Sequence, residues 1–242
     1  MKVIQFVPTL DSGGVEQGVL EMSRALTENH HESHVVSAGG RLVDQLIKDG
    51  THHHKWNLHK KNLFTFRHVR PLRKWIISMN PDVVHVRSRM PAWIVWQSLK
   101  GIPLNKRPTL VSTIHGLYSV NFYSAIMSKP HNIITVSKSA NEYLVKNYPK
   151  SSDKNIKLIY RGVDSSEYYK NYKPNQEWFN EWYKDYPDTK DTKLLTIAGR
   201  ISPLKDFEKI ISLAISIKDK SNHKIKILIA GEAKDKHHKY LN

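Results

Sequence analysis

Val3-Ile4-Gln5-Phe6-Val7-Pro8-Thr9-Leu10-Asp11-Ser12-Gly13-Gly14-Val15-Glu16 sets a short apolar run against a turn cluster. After the turn, Val15, Val19, Met22 and Leu26 recur at helical spacing, and the pattern fades at Glu28-Asn29. A strand, a glycine turn and an amphipathic helix in that order predict the first half of a βαβ unit. The same rhythm repeats downstream. His34–Ser37, Asp82–Val86, Thr109–Ile114, Asn132–Val136 and Ile156–Ile159 are short and β-branched, each separated from the next by a helical pattern. Alternation of this kind predicts an α/β fold, a parallel sheet with helices on both faces.

The rhythm breaks over residues 165–191, where Tyr168, Tyr169, Tyr172, Trp178, Trp182, Tyr183 and Tyr186 crowd between Pro174 and Pro187. This reads as a connector with one short helix, Gln176–Lys184. A second unit follows: strand Lys193–Ala198, turn Gly199–Pro203, helix Leu204–Lys218 and strand Lys224–Ala230. The expected organisation is a first domain over 1–164, a connector over 165–191 and the start of a second domain over 192–242. One βαβ unit of about fifty residues is too small to bury both faces of its own sheet, so the second domain reads as incomplete.

The 242 residues carry 38 Lys+Arg against 22 Asp+Glu, a net charge of +16. Such a surplus suits nucleic acid, anionic lipid or a phosphorylated substrate. No stretch approaches a membrane span of ~20 apolar residues, and the N-terminus reads as a strand rather than a signal peptide. The chain has no cysteine, which excludes thiol nucleophiles and Cys-ligated zinc and fits a reducing compartment. His52-His53-His54 invites a metal reading, but an extended segment points consecutive side chains to opposite faces. No metal and no cofactor are expected.

Ligands of parallel sheets bind beyond the carboxyl ends of the strands, so the residues following each strand are the candidates. Gly13 and Gly14 open a helix; they serve either a tight turn or close approach of a phosphate to backbone N–H groups. Arg87 and Arg89 follow the Asp82 strand, either solvated or gripping an anion. His115 beside Gly116 is placed to hydrogen-bond a substrate, although a lone histidine is more often structural. Arg200 and Lys205 flank the start of a helix, as surface cations or as a diphosphate cradle.

In order along the chain, Gly13-Gly14-Val15-Glu16, Asp82-Val83-Val84-His85, His115-Gly116, Val136-Ser137, Arg161-Gly162-Val163-Asp164 and Gly199-Arg200…Lys205 resemble a family 4 retaining glycosyltransferase of the GT-B fold. The wording of residues 86–93 and 115–121 resembles a bacterial subgroup linked to lipopolysaccharide core assembly. The resemblance implies two Rossmann-like domains, the first on the acceptor side and the second binding a nucleotide sugar. It implies that Gly14 and His115 act at the reacting centre and that Gly13, Gly14, Arg200 and Lys205 hold the donor. Arg87, Arg89 and Glu16 are expected to hold a lipid-linked or lipopolysaccharide-core acceptor. Fixed cations at a departing diphosphate lower the barrier to transfer.

Two departures stand out: Lys205 is followed by Asp206 where the family has glycine, and the family's paired-glutamate motif would lie beyond Asn242. A catalytically inactive, truncated remnant is therefore the alternative reading. No Asp-x-Asp occurs. Between Asp49 and Asp82 there is no acid, while Lys55, Lys60, Lys61, Arg67, Arg70, Arg73 and Lys74 interleave with Trp56, Leu63, Phe64, Phe66, Leu72 and Trp75. This composition suits an anionic membrane interface on the cytoplasmic face, or else an ordinary helix packed on the sheet, with Pro71 splitting it in two or kinking it. Nucleic acid is the third use of the charge, but no nucleic-acid-binding motif appears, and no such partner is expected.

Overall fold

The structure, a computed structural model, describes residues 1–166, 169–220, 224–233 and 240. Tyr168 of the connector and the C-terminal Lys234, Lys236 and Lys239 lie outside the described residues. The chain divides into two compact units, Met1–Val163 and Asp164–Asn242.

The first unit runs β1 (Lys2–Phe6), α1 (Gly14–Glu28), β2 (Glu32–Ser37), α2 (Val43–Lys48), β3 (His52–Lys55), α3 (Val69–Met79), β4 (Val83–Val86), α4 (Arg89–Lys100), β5 (Thr109–Ile114), β6 (Asn132–Thr135), α5 (Lys138–Asn147) and β7 (Asn155–Leu158). Its sheet is seven-stranded, in the order β3-β2-β1-β4-β5-β6-β7, and parallel at every pairing. The α/β expectation holds. Strand order reverses between β1 and β4, so the crevice outside their carboxyl ends is the switch point of the sheet.

The centre of this sheet is dry. Ile4, Phe6, Val84, Val86, Ile114 and Ile133 are buried, and on one face they join Leu72 and Ile76 of α3 with Ile94, Val95 and Leu99 of α4. A smaller cluster of Val7, Leu10, Val19, Leu20, Val35 and Leu46 seats α1 and α2. Truncating a fully buried Ile or Leu of this kind to Ala costs about 2–5 kcal/mol, so these residues fix the sheet that carries the strand-end loops. Ser137 caps α5, its hydroxyl accepting from the Ala140 N–H at 3.0 Å, as the sequence pattern predicts.

After β3 the acid-free segment forms two pieces, divided before Val69 rather than at Pro71. Leu63–His68 is a 3-10 turn capped by the Asn62 side chain, and α3 follows with Pro71 in its first turn, where a missing N–H costs nothing. Its cations are not all solvated. Arg73 donates to the Ser98 carbonyl at 3.0 Å and the Gln97 carbonyl at 3.4 Å, closing the end of α4.

The second unit contains α6 (Gln176–Asp185), β8 (Lys193–Ala198), α7 (Phe207–Lys220) and β9 (Ile225–Ala230), with β8 and β9 paired in parallel. On α6, Trp178 stacks on Trp182 at 5.4 Å and Trp182 meets Tyr186 at 4.5 Å. The expected helix start at Leu204 is instead a 3-10 turn, Pro203–Lys205, and α7 begins at Phe207. Asp206 between them adopts φ 52, a left-handed residue that interrupts the helix.

Candidate active site

Gly13 is the N-cap of α1 at φ 137, a conformation that disfavours side chains. A Cβ there would also approach the Glu16 carboxylate oxygen at 2.8 Å. Glu16 therefore folds back over the turn it follows. Gly13 and Gly14 are both exposed, so their backbone remains approachable. The turn is braced from beneath: the Leu10 N–H donates to the Gly39 carbonyl at 2.8 Å, and the Leu42 N–H to the Leu10 carbonyl at 2.8 Å.

Arg87 follows β4 across the crevice, its N–H donating to the Phe6 carbonyl at the end of β1 at 3.1 Å. Its side chain is buried, at 7% exposure, and its Nε is sealed from solvent without a hydrogen-bond partner. Burial, helped by the Arg161 cation, pushes the guanidinium down to about 10. Arg89 begins α4 and turns away into an aromatic pocket. It donates to the Ser124 hydroxyl at 3.0 Å and lies 4.8 Å from the Tyr118 ring centre and 5.1 Å from that of Tyr123. Cation–π contact of this kind holds a guanidinium in place.

His115 follows β5. Its N–H donates to the Tyr118 hydroxyl at 3.4 Å, and its Nε2 is buried with no partner. Burial first, then the cations Arg87 and Arg161, push its imidazole down to about 3. The ring is thus neutral at physiological pH and unable to act as a charged acid. Behind it, His85 is fully buried, bonded through Nε2 to the Thr113 hydroxyl at 2.7 Å, and burial holds it well below the usual histidine range.

Arg161 opens the Arg161-Gly162-Val163-Asp164 motif. In the structure it reaches α1: one nitrogen donates to the Gly14 carbonyl and another pairs with Glu21 at 3.2 Å. Gly18 makes this possible, since a Cβ there would stand 3.0–3.1 Å from the guanidinium. Nothing local announces the contact, because the partners lie about 140 residues apart. The structure therefore brings Gly14, Arg87, His115 and Arg161 together, sets Glu16 over Gly13, and assigns Arg89 to an adjoining aromatic pocket.

In the second unit Arg200 and Lys205 are both exposed. Lys205 lies over Gly199, whose φ is 150 and whose missing Cβ would stand 3.5 Å from the lysine Cε. Asp206 pairs with Lys209 at 2.7 Å, so its charge is engaged along α7. Of the three histidines in β3, His54 meets His34 at 3.0 Å on one face and His53 meets the Ser37 hydroxyl at 2.8 Å on the other. Among the described residues no group of three or more His, Asp or Glu side chains is arranged to hold a metal ion.

Residues 12–167 match the profile of Glycosyltransferase Family 4. None of the curated proteins matches the sequence. Among solved structures, a glycosyltransferase from Rickettsia africae is 26% identical with a TM-score of 0.79, covering 100% of this chain and 62% of its own. HepE from Anabaena, solved with UDP and glucose, is 13% identical with a TM-score of 0.74, covering 100% of this chain and 64% of its own. The lipopolysaccharide outer core galactosyltransferase WaaB is 15% identical with a TM-score of 0.62, covering 97% of this chain and 62% of its own. The chain thus spans less than two thirds of the length of each.

Proposed function

The chain belongs to glycosyltransferase family 4, and from that premise we propose that it moves a sugar, with retention, from a nucleotide sugar to a lipopolysaccharide-type acceptor. One observation carries this reading. At the switch point of the first sheet, the open Gly13-Gly14 turn lies with a neutral His115 whose Nε2 has no partner and a buried Arg87 whose Nε has none. A neutral imidazole accepts or donates a hydrogen bond to a sugar hydroxyl without bringing charge, and glycines admit a sugar or phosphate to the backbone. Glu16 and Arg89 border the acceptor. Arg200 and Lys205, exposed in the second unit, supply the cations that stabilise the charge of the departing diphosphate.

The same reading places the protein on the cytoplasmic face of an anionic membrane. The 3-10 turn before α3 holds Leu63 88% and Phe64 66% exposed, with Arg67 stacked on Phe64 at 3.9 Å. Lys60, Lys61, Arg70 and Lys74 are exposed around it. Apolar side chains ringed by cations suit the headgroup region of an anionic bilayer. Sedimentation with anionic but not neutral liposomes, fading with salt and lost in a Leu63→Ser, Phe64→Ser double variant, is expected; equal binding to both vesicle types rejects it.

Transfer is tested with UDP-, GDP- and ADP-linked hexoses and heptoses and a lipopolysaccharide-core acceptor, read as mass gain and as anomeric configuration by NMR. Product with the donor's configuration is expected, lost in His115→Ala at unchanged folding. An inverted product, undiminished transfer in the variant, or no transfer from any donor rejects the reading.

A further inference from the structure

Arg87 is an expensive residue for a fold to keep. A buried guanidinium needs acceptors around it, and removing acceptors from a buried charge is among the costliest defects a structure can carry. Here Nε has none, and the residue is only 7% exposed. Among the described residues, the acid whose charge reaches Arg87 is Glu21. Glu21 is already paired with Arg161 at 3.2 Å. Two guanidinium groups therefore share one carboxylate, and one positive charge remains uncompensated beneath the strand ends. Beside it, His115 Nε2 is buried and unpartnered, and both arginines act on that ring. Water reaching such a site solvates it poorly; an oxyanion satisfies the guanidinium and balances the charge together.

We propose that Arg87 and Arg161 form an oxyanion site next to His115, which takes a phosphate or carboxylate borne by the acceptor beside its reacting hydroxyl. This rests on the family-4 reading for the identity of the acceptor, but the site itself is independent of it. The arrangement also explains Gly18. A side chain at that position would displace the Arg161 guanidinium, so the glycine keeps the second cation in reach of the first, although alanine is the better helix former.

The site is tested by binding alone, on the whole chain, with inorganic phosphate, glycerol 3-phosphate, acetate and UDP as probes. The readouts are the His115 ring resonances and the unfolding temperature. Inorganic phosphate, glycerol 3-phosphate or acetate is expected to shift the His115 resonances at millimolar concentration. Arg87→Gln and Arg161→Gln each weaken that binding tenfold or more, Gly18→Ala weakens it less, and Arg107→Gln, which alters a cation bonded to the Ile102 and Lys100 carbonyls, leaves it unchanged. The relative strength of phosphate and acetate then names the group. No shift with phosphate or acetate, or equal binding in folded Arg87→Gln, overturns the proposal. UDP displacing phosphate from His115 assigns the site to the donor and overturns the acceptor assignment. Phosphate binding without sugar transfer leaves the site standing while the transferase reading fails, so the two failures are distinguishable.

Discussion

Lowering the pH should unfold the first unit through its buried imidazoles, and His115 sets the measurable part. Its folded-state value is about 3 against an ordinary 6.5. Between those limits the unfolded chain binds a proton that the folded chain refuses, so stability rises with pH across that window and is lost as pH falls through it. At about pH 5 the unfolded ring sits ~1.5 units below its own midpoint while the folded ring is still neutral, and at ~1.36 kcal/mol per unit His115 alone removes about 2 kcal/mol. His85, His54, His34 and His53 are all held below their ordinary value chiefly by burial, so the whole chain loses more. The difference between wild type and His115→Gln isolates the single ring. Urea unfolding at pH 8 and pH 5, followed through the Trp93 indole N–H that donates to the Tyr123 carbonyl at 3.0 Å, gives both stabilities for the first unit. The wild type should lose about 2 kcal/mol more than the variant between the two conditions. Equal losses, or a His115 ring that titrates near 6.5 in the folded chain, would refute the placement of this residue beside two cations.

Gly40→Ala should cost more than a typical loop substitution: φ is 141, and a Cβ would stand 2.4 Å from the Leu10 carbonyl carbon. A loss of 3 kcal/mol or more, on the order of backbone strain plus an unrelievable clash, is expected by urea unfolding. Arg87→Met should stabilise the first unit, because a shift from 12.5 to about 10 marks the buried charge as unfavourable by roughly 3 kcal/mol. Thermal unfolding reads the gain, and a destabilised Met variant would show that Arg87 has partners in the folded state. Asp206→Gly should stabilise the second unit by about 1 kcal/mol, since the residue sits at φ 52 where glycine is free of strain. Loss of stability there would mean that the Lys209 ion pair outweighs the backbone.

The parallel sheet was legible because its central strands are apolar and bounded by turn residues. β3 was not, since His52-His53-His54-Lys55 has neither β-branched enrichment nor apolar alternation. It forms because an edge strand needs only one partner, and its rings find His34, Ser37 and Trp75. The 3-10 turn at Pro203–Lys205 was hidden for a related reason. Proline at a helix start and a following lysine read as continuous helix, and only the left-handed Asp206 breaks it. That conformation accounts for the glycine expected there from the family resemblance: the position requires a positive φ, and Asp meets it at a cost. Arg161 reaching Gly14 and Glu21 was beyond any local pattern, because long-range contacts of a flexible side chain leave no periodic trace.

The two ends of the first sheet differ in a way that does not depend on any motif. At the amino end, charges are matched. The Lys2 N–H donates to the Asp82 carboxylate at 2.6 Å, its ammonium donates to the Met79 carbonyl at 2.9 Å, and it pairs with Glu32 at 3.2 Å. At the carboxyl end they are not. Among the described residues, the ionisable side chains that keep a buried atom without a partner are His59, Arg87 and His115, and each follows the carboxyl end of a strand: β3, β4 and β5. Folding pressure alone would pair such groups or replace them with apolar residues. Their retention at one end of the sheet, when Lys2 at the other end is paired with Asp82 and Glu32, is the pattern expected where stability is traded for a ligand. The crevice between β1 and β4, beside Arg87, is where we propose that ligand sits, on energetic grounds that stand apart from the family resemblance.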